Sequence, residues 1–212
     1  MIELDVSLSY DRKLVVIHDA TLQRTTNGYG PVNGFTVKEL KQLDAGSWFS
    51  SDFTGEKIPE LIEVMELVNG RALIDIEIKS GAYEPHHPHD AIERQVMELV
   101  RQKNARDYIL ISSFNIFILE QLAAIKDSPP LAWISKSRAD RNSVEMCKRI
   151  NAFSWHPEHL ILTRKQVEMM HTAGIRVFPF NMESEADFNR ILSMGVDGAI
   201  MNDPVEAMEW LR

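Results

Sequence analysis

The chain opens with a strictly alternating run, Ile2–Leu8, in which Leu4, Val6 and Leu8 share one face and Glu3 and Asp5 the other. Residues 14–18 (LVVIH) form a second β-like run. From Pro59 onward, short β-rich runs and stretches of helical spacing follow each other almost without interruption. Residues 59–69 are predicted helical, with Pro59 in the first turn and Leu61, Val64, Met65 and Val68 along one side. Further helices are predicted over 91–103, 116–125, 143–149, 164–173, 185–194 and 204–211, two of them stopped by Gly174 and Gly195. Strands are predicted over 71–79, 108–113, 131–135, 152–156, 175–180 and 197–201. Strand, helix, strand, helix implies an α/β fold whose parallel sheet is covered by helices. With the opening run this makes seven strands. A closed (β/α)8 barrel needs eight and typically ~250 residues, so the first βα unit is expected to be missing from this chain.

Residues 9–58 break the alternation. Only Tyr10-Asp11-Arg12-Lys13 separates the first two β-like runs, too few residues for a parallel crossover, so an antiparallel hairpin is expected. Asn27-Gly28, Gly30-Pro31 and Asn33-Gly34 then signal turns. The whole chain, 1–212, reads as one barrel domain carrying a small inserted subdomain at about 9–58.

Composition narrows the function classes. Lys+Arg number 23 against 31 Asp+Glu, a formal charge of −8, which repels a nucleic-acid partner on average. No apolar run approaches the ~20 residues of a transmembrane helix, and the first residues lack the basic and apolar regions of a secretory signal. The single cysteine, Cys147, allows no internal disulfide, so a reducing, cytoplasmic setting is expected.

Candidate chemistry lies on the polar strand faces. Asp75, Glu77 and Lys79 alternate with Ile74, Ile76 and Ile78, as Glu3 and Asp5 do with their aliphatic neighbours. In a barrel the aliphatic face meets the helices and the charged face the axis, where unpaired charge is costly; a metal or a salt-bridge network should compensate it. Glu3, Asp5 and Glu77 form a hard oxygen set for Mg²⁺ or Ca²⁺, the alternative being a solvent-facing alternation in an ordinary antiparallel sheet. A hairpin turn centred between Asp11 and Arg12 puts His18 opposite Asp5, and therefore beside the carboxylates, as a general acid; otherwise it is a hairpin histidine bonded to Asp19 or to a backbone carbonyl.

These residues lie in runs that strongly resemble the glycerophosphodiester phosphodiesterase family. The first third carries IELDVSLSYDRKLVVIHDATLQRTTNGYGPV, then LKQLDAGSWFS, GEKIPELIEVMELV and IDIEIK; SSFN at 112–115 and GVDGAIMNDP at 195–204 follow in order. The resemblance implies a phosphatidylinositol-phospholipase-C-like (β/α)8 barrel hydrolysing glycerophosphodiesters to glycerol 3-phosphate and an alcohol. It implies Glu3, Asp5 and Glu77 as ligands of a divalent cation, His18 as the second catalytic histidine, and Lys79 as a contact to substrate phosphate. It also implies that the insertion is the family's small inserted domain.

Three departures from the family pattern stand out. The upstream strand with His-Arg-Gly and the helix opened by Pro-Glu-Asn are not in this chain. Phe180-Asn181-Met182-Glu183 replaces a Trp-Thr-Val-Asn-like signature, and Asn202 stands where an aspartate is common. The first departure removes a catalytic histidine, so these 212 residues are expected to be impaired on their own, with Met1 an internal methionine of a longer protein. The alternatives are a partner chain filling the gap or a degenerate relative. An open barrel would leave two sheet edges for a homo-oligomer to cover.

The remaining candidates divide evenly or towards structure. Arg24 either meets phosphate or braces the insertion; Trp155, His156 and Phe180 are placed at the substrate pocket, with core packing the alternative for the indole. His86-His87-Pro88-His89 reads as incidental surface histidines and Cys147 as a buried thiol. Two function classes remain: a metal-dependent phosphodiesterase acting on a small glycerophosphodiester or a lysophospholipid headgroup, and a non-catalytic phosphodiester-binding barrel.

Overall fold

A computed structural model describes residues 1–86 and 88–212; His87, the middle of the histidine run, lies outside the described residues. The chain divides into two compact units, Met1–Ile111 with Asp127–Pro129 and Ser112–Lys126 with Pro130–Arg212.

In the first unit β1 (Ile2–Leu8) lies between β2 (Leu14–Val16), its antiparallel partner, and β3 (Ile74–Ile78), its parallel one. The isoleucines of β3 are fully buried, as β-branched residues on a covered sheet face should be. Glu3 stands opposite Asp75 and Asp5 opposite Glu77, so all four carboxylates share the other face.

The hairpin register departs from the expected one. Val6 pairs with Val16 and Leu8 with Leu14, and the Ile17 amide donates to the Asp5 carbonyl at 3.0 Å, so position 17, not 18, lies opposite Asp5. The cause is the odd-length connection 9–13, closed by Ser9 N–H to the Lys13 carbonyl and held by Arg12 at φ 58°. A slip of one residue exchanges the two faces of a strand, and β2 ends before His18 is reached.

Beyond β2 the insertion packs around Val15, Ile17, Leu22, Val32, Leu40 and Ile58. Each such side chain contributes roughly 1.5–3 kcal/mol on burial, enough to hold a segment with little regular structure. Its one α-helix, α1 (Val37–Leu40), was hidden among turn signals, although Thr36 and Glu39 form a reciprocal capping box. Helix α2 (Leu61–Val68) begins two residues later than the pattern predicts. The Pro59 carbonyl accepts from the Val16 amide at 2.9 Å, which ties the segment to β2, and Glu60 and Glu63 cap the helix instead. Helix α3 (Ile92–Gln102) follows, and β4 (Ile109–Ser113) leads into the second unit.

That unit continues with α4 (Ile116–Ala123), β5 (Leu131–Ser135), α5 (Arg141–Arg149), β6 (Ser154–Pro157), α6 (Arg164–Thr172), β7 (Arg176–Val177), α7 (Glu185–Leu192) and α8 (Pro204–Trp210). β6 pairs in parallel with β5 and with β7. Helix α5 starts two residues early because Asp140 and Ser143 form a capping box.

The strand predicted at 197–201 is reduced to one parallel bridge between Phe180 and Ile200, and β7 is correspondingly short. Pro179 supplies no N–H to continue a ladder. Gly198 must pass so close to the Phe178 ring that an added Cβ would lie 2.8 Å from it. Strands and helices alternate, with β1–β3 and β5–β6–β7 paired in parallel and β2 antiparallel to β1, an α/β fold of the (β/α)-barrel type. Among the described residues no helix is long and apolar enough to cross a membrane.

Candidate active site

The β1–β3 register brings the three sequence-selected carboxylates together: one oxygen each from Glu3, Asp5 and Glu77 lies within 4.8 Å of the others. Lys79, just past the end of β3, turns back into this group. Its Nζ donates to Asp5 Oδ1 at 2.5 Å and to Glu77 Oε1 at 2.9 Å. Although Glu3 keeps exposed surface, desolvation of its carboxylate, reinforced by Asp5, Asp75 and Glu77, pushes its pKa up to about 8. Burial raises Glu77 too, against the pull of Lys79. Burial alone would lower Lys79, but its hydrogen bonds to the two carboxylates outweigh this and raise it.

Both compensations considered for buried charge therefore meet in one place: a salt bridge exists, and the carboxylates still outnumber the single ammonium. Three converging hard oxygen donors with surplus negative charge fit a divalent cation.

His18 lies outside the ladder and exposed, with Nδ1 2.6 Å from Asp19 Oδ1. Arg24 grips the same carboxylate twice, Nε to Oδ2 at 2.7 Å and Nη2 to Oδ1 at 2.8 Å, and its Nη2 is 3.5 Å from His18 Nδ1. Arg24 first, then His18, holds the Asp19 carboxyl well below the usual range. His18 is near enough to Glu77 to draw its pKa downward, and Asp5 near enough to Arg24 to raise that of the guanidinium. The histidine thus reaches the carboxylate neighbourhood by the turn after β2 and not by strand register. The bond to Asp19 is the alternative that the sequence offers for His18, and the grip of Arg24 on the same carboxylate adds to it. The signal was available as a His-Asp pair with an arginine five residues on.

The remaining candidates are less central. The Trp155 indole is fully enclosed and donates to Ser135 Oγ at 3.0 Å, so it sits in the packed interior instead of on an open pocket wall. Phe180 is half-buried, edge-on to Phe114 at 6.0 Å. His86 and His89 are exposed, and neither joins a metal-ligand cluster among the described residues. Cys147 is buried, and that burial pushes its thiol up to about 12.

The chain is similar to known proteins along almost its whole length. Residues 1–206 match the model of the glycerophosphoryl diester phosphodiesterase family. A glycerophosphodiester phosphodiesterase of Caldanaerobacter subterraneus is 37% identical over 100% of this chain and 85% of the relative. One from Bacillus altitudinis is 34% identical over 98% and 84%. Among solved structures, a phosphodiesterase of Oleispira antarctica in complex with the product sn-glycerol-3-phosphate superimposes with a TM-score of 0.88 at 27% identity, covering 99% of this chain and 83% of the other.

Proposed function

Because the chain belongs to the glycerophosphoryl diester phosphodiesterase family, we propose that it hydrolyses glycerophosphodiesters to sn-glycerol 3-phosphate and an alcohol at the face shared by Glu3, Asp5, Glu77 and Lys79, with His18 beside it. The observation that carries this reading is the convergence of three carboxylates and a lysine beside an imidazole already held by a carboxylate.

Glu3, Asp5 and Glu77 would hold Mg²⁺ or Ca²⁺, which when bound withdraws charge from a non-bridging phosphate oxygen. Lys79 adds a positive charge where the transition state gathers negative charge, and its two hydrogen bonds keep it protonated. Asp19 accepts from His18 Nδ1, leaving Nε2 as the nitrogen that delivers a proton to the departing alkoxide, and it steadies the imidazolium before transfer. Arg24 acts through Asp19: two hydrogen bonds fix the carboxylate, so the guanidinium is a positioning group first. A single cysteine, which allows no internal disulfide, supports the cytoplasmic setting; a homo-oligomer along a sheet edge belongs to the same reading and would appear in light scattering.

The test is release of glycerol 3-phosphate from glycerophosphocholine with Mg²⁺ or Ca²⁺ supplied separately, alongside His18→Ala and Glu77→Gln. Release that requires a divalent ion and falls in both variants is expected. No release with either ion would end the enzyme reading.

A further inference from the structure

The insertion turns three aromatic rings outward next to the proposed site. Trp48, Phe49 and Phe53 are 52%, 72% and 47% exposed. Trp48 and Phe49 meet edge-on at 5.8 Å, and Phe49 and Phe53 at 5.7 Å, so the rings form one continuous apolar surface. Leaving such a surface in water is unfavourable, which makes it a candidate contact area.

The segment that presents the rings is rigidly built. The Asp44 carboxylate accepts from the amides of Gly46 and Ser47 at 2.9 Å, the Ser47 hydroxyl at 2.7 Å and the Gly55 amide at 3.0 Å. Trp48 Nε1 donates to the Ala45 carbonyl at 2.9 Å. At Gly46 a Cβ would lie 2.0 Å from the Phe53 carbonyl oxygen, so only glycine lets the two stretches of backbone approach. Rings fixed in advance lose little conformational entropy when something binds.

Their position follows from Arg24. Its guanidinium lies 5.8 Å from the centre of the Trp48 ring, and its Nη2 lies 3.5 Å from His18 Nδ1. One side chain thus approaches both the aromatic surface and the imidazole assigned to the leaving group. A diester with its phosphorus at the carboxylates must send its ester alcohol past that imidazole.

We propose that Trp48, Phe49 and Phe53 form a subsite for the alcohol portion of the phosphodiester, selecting an uncharged, apolar alcohol such as an alkyl chain. This inference rests on the function proposed above and names its substrate class. A cationic alcohol is disfavoured because Arg24 already stands at Trp48 and like charges would face each other. An anionic one gains little, since Asp19 already takes two hydrogen bonds from that guanidinium.

The test is calorimetric titration of the full chain, with Mg²⁺ or Ca²⁺, by glyceryl alkylphosphonates, whose carbon–phosphorus bond resists hydrolysis, kept below micellar concentration. Glyceryl octylphosphonate should bind about tenfold or more tightly than the ethyl compound. Phe49→Ser, at an exposed position, should bring that ratio to within about twofold, as should the double change Trp48→Ala with Phe53→Ser. Equal affinity for the two chain lengths, a ratio that survives both variants, or tighter binding of the trimethylammonioethyl analogue would overturn the subsite. Phe49-dependent co-sedimentation with phosphatidylcholine vesicles without a chain-length gain would also overturn it, assigning the rings to a lipid surface. Glycerol 3-phosphate is titrated in parallel. If it binds, a missing chain-length effect condemns the subsite alone; if it does not, the functional reading fails and the subsite with it.

Discussion

Two strands place polar side chains on a buried face, and they do so with opposite chemistry. β3 in the first unit carries Asp75 and Glu77, followed by Lys79; β6 in the second carries Ser154 and His156, with Trp155 pointing the other way. Every residue of both strands is buried. On β6 the response is neutrality: desolvation lowers the His156 pKa to about 3, and its Nε2 lies 2.9 Å from Ser154 Oγ. On β3 the charges are gathered instead, with Glu3 and Asp5 joining from β1 and Lys79 crossing between two of them. A buried histidine that stays uncharged is packing; buried carboxylates that crowd together need a counter-ion, and that need is what marks a site.

Substitutions can break this contrast, beginning with the largest effect. His18→Ala should lower kcat for glycerol 3-phosphate release by on the order of 10²–10⁴. Asp19→Asn should lower it by about 10²-fold with KM less affected, since it disturbs the imidazole and not the phosphate contacts. Steady-state kinetics in which either variant matches the parent would remove the acid role from this side of the molecule.

A divalent ion at about 100 times its Kd should stabilise the fold by roughly 2.7 kcal/mol, seen as a raised Tm, and Glu77→Gln should abolish most of the gain. An undiminished ion effect in Glu77→Gln would place the ion elsewhere.

His156 sets a pH limit on the second unit. Its folded pKa lies near 3 against 6.5 for a free imidazole, so the unfolded chain binds the proton first as pH falls. Stability is therefore full above about 6.5 and declines towards 3, by up to about 1.4 kcal/mol per pH unit. His156→Phe should flatten that part of a denaturation-against-pH profile, and an unchanged slope would show that other groups cause it.

The smallest effect is expected at the hairpin tip. Arg12 holds a left-handed backbone at φ 58° while its guanidinium reaches Glu84 at 2.7 and 3.1 Å and also meets Asp90. The backbone penalty is about 1–2 kcal/mol, and partly exposed ion pairs return up to about 1 kcal/mol each. Arg12→Gly should therefore change stability by less than about 1 kcal/mol in urea denaturation. A loss above about 2 kcal/mol would mean that the ion pairs are far stronger than their exposure suggests.

Much of this is legible in the order of the amino acids. Alternation at Glu3, Asp5 and Glu77 pointed to a shared polar face because side chains on a strand repeat every two residues, and parallel pairing of β1 with β3 brings them together. The hairpin was legible as well, but not its register: the placement of His18 turned on whether the connection centred on Asp11 or half a residue later, and Arg12 in the left-handed region decided it. The strand expected at 197–201 failed for a comparable reason. Apolar pattern was present, but Pro179 and the crowding of Phe178 on Gly198 limited the pairing.

What the amino-acid order determined alone was periodic: which residues lie on a common face and where Gly174 and Gly195 stop helices. Those properties depend on neighbours within a few positions. What only the tertiary structure decided depends on residues far apart in the chain or on an exact turn: the convergence of Glu3 and Asp5 with Glu77, Lys79 spanning two strands, Arg24 gripping Asp19 beside His18 and lying over Trp48, and aromatic rings held outward by Asp44. Side-chain reach and loop closure have no period, so no pattern along the chain announces them.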